Sequence, residues 1–190
     1  MTSRLWRIAA NGYTCEAIGA PALRAKPIGT PMRKDTHKDH AMESLSLEIA
    51  SKADVPVLLG MMEPFNGLEH LPWRPIATES ALLKLLADSS LGVAGLFQRA
   101  GSNLGYFVLT WGYDLEWAGR DAFLTELFLL PEARGQGLGS SAMALLEQFA
   151  KEQGARALHL MVRTENTAAR RLYERQGYKS PPRIFLSKEL

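Results

Sequence analysis

The sequence predicts one α/β domain, a mixed sheet with helices on its faces. Three observations carry that prediction. The 190 residues are 46% hydrophobic and 22% charged, enough apolar material to close one substantial core. From residue 42 onward, apolar runs of period 2 interchange with runs of period 3.6. Gly and Pro stand at the ends of those runs, and no internal repeat or low-complexity tract interrupts them.

Taken in order, Leu45, Leu47 and Ile49 alternate with Ser44, Ser46 and Glu48, as in a half-buried strand. A helix follows, with Asp54 as cap, Pro56 in its first turn and Val57, Leu58, Met61 and Met62 at helical spacing, ending at Pro64. Phe65–Ile76 holds Asn66-Gly67, Pro72 and Pro75 and reads as a loop, apolar enough to line a pocket. Thr78–Asp88 is a second helix with Thr78 as cap and Leu82, Leu85 and Leu86 on one face. Leu91–Arg99 and Asn103–Tyr113 form a hairpin about Ala-Gly-Ser, and Ala122–Leu130 is a third adjacent strand. Leu138–Gln153 is helical through Leu138, Ala142, Leu145, Leu146 and Phe149, with Gly154 as its stop. Ala157–Arg163 is a strand, Thr167–Gln176 a last helix closed by Gly177, and Ile184–Ser187 a short final strand.

Charge narrows the function classes. The formal net charge is +2, yet residues 1–41 carry seven Lys or Arg against three acids, which leaves the remainder at −2. The folded part therefore lacks the basic footprint of a nucleic-acid binder. The 14-residue uncharged stretch Ala100–Tyr113 falls short of the ~20 apolar residues of a membrane span. A single cysteine, Cys15, allows neither an intrachain disulfide nor a zinc cluster, so no metal is expected and a reducing, cytoplasmic setting is the default. Residues 1–41 read as a poorly ordered basic N-terminal extension and 42–190 as the domain. Three origins for the extension stay open: a native tail, an organelle transit peptide, and a misassigned start with Met42 as the true one.

The stretch Leu127-Phe128-Leu129-Leu130-Pro131-Glu132-Ala133-Arg134-Gly135-Gln136-Gly137-Leu138-Gly139-Ser140 runs from a strand through a glycine-rich turn into an amphipathic helix. Such a turn lets backbone N–H groups approach a phosphate, and the helix N-terminus adds unpaired donors and partial positive charge. It is not a P-loop, since no lysine follows the last glycine, nor a dinucleotide fingerprint, whose third glycine comes one residue later. The pattern present is Arg-x-x-Gly-x-Gly, as Arg134, Gly137 and Gly139. Asn166 and Leu172-Tyr173 before Gly177-Tyr178 follow downstream.

On these residues the chain resembles the GNAT superfamily of acetyl-CoA-dependent N-acetyltransferases from about Leu45 onward. The resemblance implies a GNAT-like acyl-CoA N-acyltransferase fold, with a central mixed, mostly antiparallel sheet flanked by about four helices. It implies acetyl-CoA as co-substrate and an amine of a small molecule or peptide as acceptor, attacked directly in a ternary complex. Arg134, Gly135, Gln136, Gly137, Leu138, Gly139 and Ser140 would wrap the pyrophosphate through backbone amides. Leu127, Phe128 and Leu129 would pair with the pantetheine amides, Asn166 would hold the same arm, and Tyr173 would reach the thioester sulfur. The strands around Leu127 and Leu160 would splay to make the slot.

An amine is protonated near neutrality (~10.4 for a lysine-like group), so a base must free it before attack. Glu126 is the candidate, and Tyr173 is the candidate donor to the departing thiolate. Plainer readings stand beside these: Glu126 pointing to solvent or paired with Arg120 or Arg134, Tyr173 as a core aromatic, and His159 as a satisfied sheet residue. Acids and aromatics interleaved over residues 100–133 suit a cationic amine, or a solvated loop. The alternative function is a non-catalytic acyl-CoA-binding or regulatory module of the same fold. A third reading has the basic extension recruiting a partner. If the chain self-associates, a homodimer is the common closed form.

Overall fold

The computed structural model describes residues 44–189. The basic extension 1–41 and the choice of Met42 as a start lie outside the described residues. Five strands form one sheet in the order β1 (Ser46–Ile49), β2 (Gly92–Arg99), β3 (Ser102–Asp114), β4 (Gly119–Leu129) and β5 (Leu158–Leu160). The first four are an antiparallel run, and only β4 and β5 are parallel. Four helices pack on it: α1 (Val55–Leu68), α2 (Pro75–Ala87), α3 (Leu138–Glu152) and α4 (Thr167–Arg175). The α/β class and the mixed, mostly antiparallel sheet are as expected.

Strand alternation sorts the core into two layers. Leu47, Phe97, Phe107, Leu109 and Leu124 face α3, which buries Leu138, Ala142, Met143, Leu146 and Ala150 against them. Leu96, Tyr106, Val108 and Phe128 face the other way, under Leu58, Met61 and Met62 of α1 and Leu82 of α2. The β2–β3 turn is Ala100-Gly101, both with positive φ (53° and 75°), the conformation that matches strand twist in a two-residue hairpin.

Several boundaries differ from expectation. α1 runs straight through Pro64, because Met61, Met62 and Phe65 continue its sheet-facing stripe across the proline. Gly60 stands at the carbonyl that the proline ring crowds, four residues back. The connection that follows shrinks to Glu69–Arg74, and α2 starts at Pro75, in the first turn that proline suits. Thr78 is then an interior residue, its N–H bonded to the Arg74 carbonyl at 2.9 Å. Asp54 caps nothing in α1. Its carboxylate instead accepts from Ser51 N–H (2.8 Å) and Oγ (2.9 Å), closing a short 3-10 turn over Lys52–Asp54. β4 starts earlier than expected and β5 is shorter. Ile184–Ser187 forms no strand: no neighbour pairs with it among the described residues, and Ile184, Phe185 and Leu186 are exposed.

Candidate functional site

β4 pairs with β5 only at Ala122–Leu158, Phe123–His159 and Leu124–Leu160. Beyond Leu124 it runs on for five residues with β3 on one side and, among the described residues, no strand on the other. The expected splay between the strands of Leu127 and Leu160 is therefore built by register: three paired residues, then a free edge carrying Leu127, Phe128 and Leu129.

A β-bulge lies at the start of that free edge. Val108 stands opposite Glu126 and Leu109 opposite Leu124, which leaves Thr125 as the extra residue, its Oγ1 donating to the Val108 carbonyl at 3.2 Å. The extra residue reverses the facing of everything after it. Ala122 and Leu124 lie in the α3 layer, whereas Phe128 lies in the α1/α2 layer with Tyr106. Glu126 is thereby turned toward Tyr106, whose hydroxyl donates to Glu126 Oε2 at 2.6 Å. Tyr106 is fully buried. Burial pushes the Glu126 carboxyl above its ordinary value, and the Tyr106 hydrogen bond only partly opposes this. The Tyr106 phenol is raised as well, by burial and then by the neighbouring carboxylate. Glu126 pairs with neither suggested arginine. Arg120 lies over the Trp111 ring at 5.0 Å and donates to the Gln153 carbonyl, while Arg134 is engaged elsewhere.

After β4 the chain turns through Pro131–Ala133 and the glycine loop into α3. Gly135 and Gly137 have φ of 74° and 78°, a left-handed backbone that side chains resist, and a Cβ at either would meet open space. Their constraint is conformational. Gly139 differs, since a Cβ there would stand 3.0 Å from Leu172 Cδ2, so it sets how closely α3 and α4 approach. Among the described residues no backbone or side-chain acceptor takes the N–H of Gly135, Gln136, Gly137, Leu138 or Gly139. Five neighbouring free donors at a helix N-terminus are a fit for a pyrophosphate. Ser140 lies in the first turn of α3, its N–H on the Gly137 carbonyl at 3.0 Å. The Arg134 side chain turns back along β4: Nε donates to the Leu129 carbonyl at 2.8 Å and the guanidinium stacks on Phe128 at 5.2 Å. Arg99, at the end of β2, donates to Gln136 Oε1 at 3.2 Å, a cation beside the loop that sequence reasoning missed. Nothing in the local pattern of β2 marks it.

Asn166 is the N-cap of α4, with Oδ1 accepting from Ala169 N–H at 3.2 Å. Its amide nitrogen is left for another partner. Tyr173 packs edge-on against Tyr178 at 5.8 Å and against the α3 layer. Its phenol is pushed up to about 12, first by burial and then by Glu69 just past α1. Arg163 donates to the Glu69 carbonyl at 3.1 Å, tying the α1–α2 connection to the chain leaving β5. His159 is not the satisfied residue expected. Its Nε2 lies 3.4 Å from Asp121 Oδ2 and has no hydrogen-bond partner among the described residues. A cavity of about 870 Å³, lined in part by Asp114, Trp117, Asp121, Glu147 and Tyr178, opens at the other end of β4 and takes in none of Glu126, Asn166, Tyr173 or the glycine loop.

A half-unzipped parallel strand pair thus feeds a glycine turn and a helix N-terminus, which lines up a free sheet edge with free backbone donors. The chain belongs to the Acetyltransferase (GNAT) family, whose description matches residues 62–178. It is similar to the protein named Uncharacterized N-acetyltransferase YhfO of Bacillus subtilis, 29% identical over 99 residues, 52% of this chain and 66% of that one. It is similar to the thialysine N-epsilon-acetyltransferase of Mus musculus, 30% identical over 149 residues, 72% of this chain and 85% of that one. Among solved structures, an integron cassette protein from the mobile metagenome of Cole Harbour Salt Marsh superimposes with a TM-score of 0.67 at 30% identity, covering 76% of this chain and 90% of that one. The chain spans from 45% to 66% of the length of YhfO and two further bacterial relatives.

Proposed function

We propose that this chain transfers the acetyl group of acetyl-CoA to an amine. The observation that carries the reading is the free edge of β4 after Leu124, leading into five unpartnered N–H groups at the start of α3. In that reading Leu127 to Leu129 offer main-chain partners to an amide-bearing arm, and the donors of Gly135 to Gly139 receive a pyrophosphate. Arg134 offers this ligand no free backbone donor, against expectation: its N–H is on the Pro131 carbonyl at 3.2 Å and its side chain is held on Leu129 and Phe128. The Asn166 amide nitrogen is a further donor to the arm.

Acetyl-CoA supplies an activated acyl group: the amine nitrogen bonds to the thioester carbon, the C–S bond breaks, and its electron pair leaves on sulfur. Glu126 takes the proton of the ammonium so that a lone pair is available, and water takes the second proton after attack. Tyr173 donates a hydrogen bond to the leaving sulfur. Its raised phenol, at about 12, lies several units above a thiol (~8.5), so the proton is shared with sulfur rather than handed over. Orientation by the backbone donors carries more of the rate than either side chain. We also propose a cytoplasmic setting, on the single cysteine of the sequence.

The test is thiol release from acetyl-CoA by the purified full chain across a panel of amines. The panel contains thialysine and an aminoalkylphosphonate, the substrates in two relatives' names, with polyamines, aminoglycosides and short peptides. Turnover with one class is expected, reduced about 10²- to 10⁴-fold in Glu126→Gln and about tenfold in Tyr173→Phe. Tight acetyl-CoA binding with no thiol release from any amine overturns the reading in favour of a binding module.

A further inference from the structure

We propose that Tyr106 is the positioning residue of the reaction: its hydroxyl holds Glu126 Oε2, leaving the other carboxylate oxygen to take the acceptor's proton. The inference rests on Glu126 being the base. Three features of the structure converge on it. The bond is short, 2.6 Å, as expected when a neutral hydroxyl donates to a carboxylate. Tyr106 is fully buried and its ring meets Phe65 of α1 edge-to-face at 6.1 Å and Phe128 of β4 at a tilt at 6.0 Å, so the hydroxyl has a fixed origin. The bulge at Thr125 is what turns Glu126 to that hydroxyl. In an unbulged strand the carboxylate falls in the α3 layer, away from Tyr106.

The packing around the pair is apolar: α1 contributes Leu58, Met61 and Met62, α2 contributes Leu82, and β2 contributes Ala94 and Leu96. Besides burial, the Tyr106 hydrogen bond is the influence that acts on the Glu126 carboxyl. Arg134, whose guanidinium stacks on Phe128, spends its Nε–H on the Leu129 carbonyl, and Arg120 of β4 lies over Trp111. Tyr106 therefore sets the direction of the carboxylate and tempers the rise that burial imposes on it. A base held only by burial would have its pKa driven further up and its orientation left free.

Removing the donor raises the carboxyl further, and because only the carboxylate accepts a proton, the acidic limb of activity must move to higher pH. The experiment compares full-chain wild type, Tyr106→Phe, Glu126→Gln and protein carrying 3-fluorotyrosine at position 106, a more acidic phenol and stronger donor. It follows thiol release from acetyl-CoA against pH, with the amine that turns over or with water as acceptor. A ¹³C carboxyl NMR titration of Glu126 runs in parallel. In Tyr106→Phe both titration and acidic limb are expected to rise by about one to two pH units, with rate recovered at high pH and acetyl-CoA binding unchanged. Fluorotyrosine is expected to move both downward, and it carries the test if Tyr106→Phe does not fold. An acidic limb that stays put in both proteins, but disappears in Glu126→Gln, overturns the role of Tyr106 alone. A limb that survives Glu126→Gln, or an absence of any thiol release, overturns the reading of Glu126 and Tyr106 with it.

Discussion

Glu126 is a carboxylate placed where the fold would be better off without a charge. Its folded pKa is raised above the value in the unfolded chain, so the folded state binds the proton more tightly. That contribution is fully present below the unfolded carboxyl pKa and is lost as pH rises through the folded one. At neutral pH the ionised group costs stability. Glu126→Gln, which keeps the acceptor and drops the charge, should melt at a higher temperature than wild type at pH 7. The difference should vanish below about pH 4, as calorimetric scans across pH would record. Stability gained where activity is lost is the signature of a working group and not of a stray surface acid. Sequence alone supplied Glu126 as a candidate and offered solvent, Arg120 or Arg134 as its surroundings, not Tyr106. Tyr106 is 20 residues away and meets it only because the β3–β4 hairpin aligns them across a bulge.

At the level of elements, the glycine loop was legible and β4 was only half so. Left-handed φ at Gly135 and Gly137, followed by a helix with no side-chain cap, is what Arg-x-x-Gly-x-Gly encodes locally. Gly137→Ala is expected to cost about 1–2 kcal/mol of stability from its left-handed backbone and to weaken acetyl-CoA binding, measured by denaturant unfolding and calorimetric titration. In β4, period 2 applied to Ala122, Leu124, Glu126 and Phe128 puts all four on one face. The strand divides them between two, because no residue type announces a bulge. α1 escaped local reading for a related reason: Pro64 and Asn66-Gly67 look like a stop, but the stripe of Met61, Met62 and Phe65 buries more by staying helical. The reverse error occurred at Ile184–Ser187, where apolar residues without a neighbouring strand form none.

For the whole molecule, the order of elements and the class of fold came from periodicity, and the family from two motifs 30-odd residues apart. The splay was expected only through that resemblance and not from periodicity, since where a ladder stops pairing depends on strands far apart in sequence. Among the described residues the packed layers draw on Leu45 to Tyr178, and the family description matches within the same span. A chain lacking residues 1–41 should therefore fold and bind acetyl-CoA as the full chain does. Saturating acetyl-CoA should stabilise either form by about 2.7 kcal/mol at a hundredfold excess over Kd, read as a thermal shift.

The three-residue ladder between β4 and β5 also bears on how fast a ligand arrives. Because the gap is set by where pairing ends, it is open among the described residues before anything enters. Association then meets only the orientational limit on diffusion, about 10⁵–10⁷ M⁻¹s⁻¹. Differences in affinity among acyl carriers should appear in how long each stays.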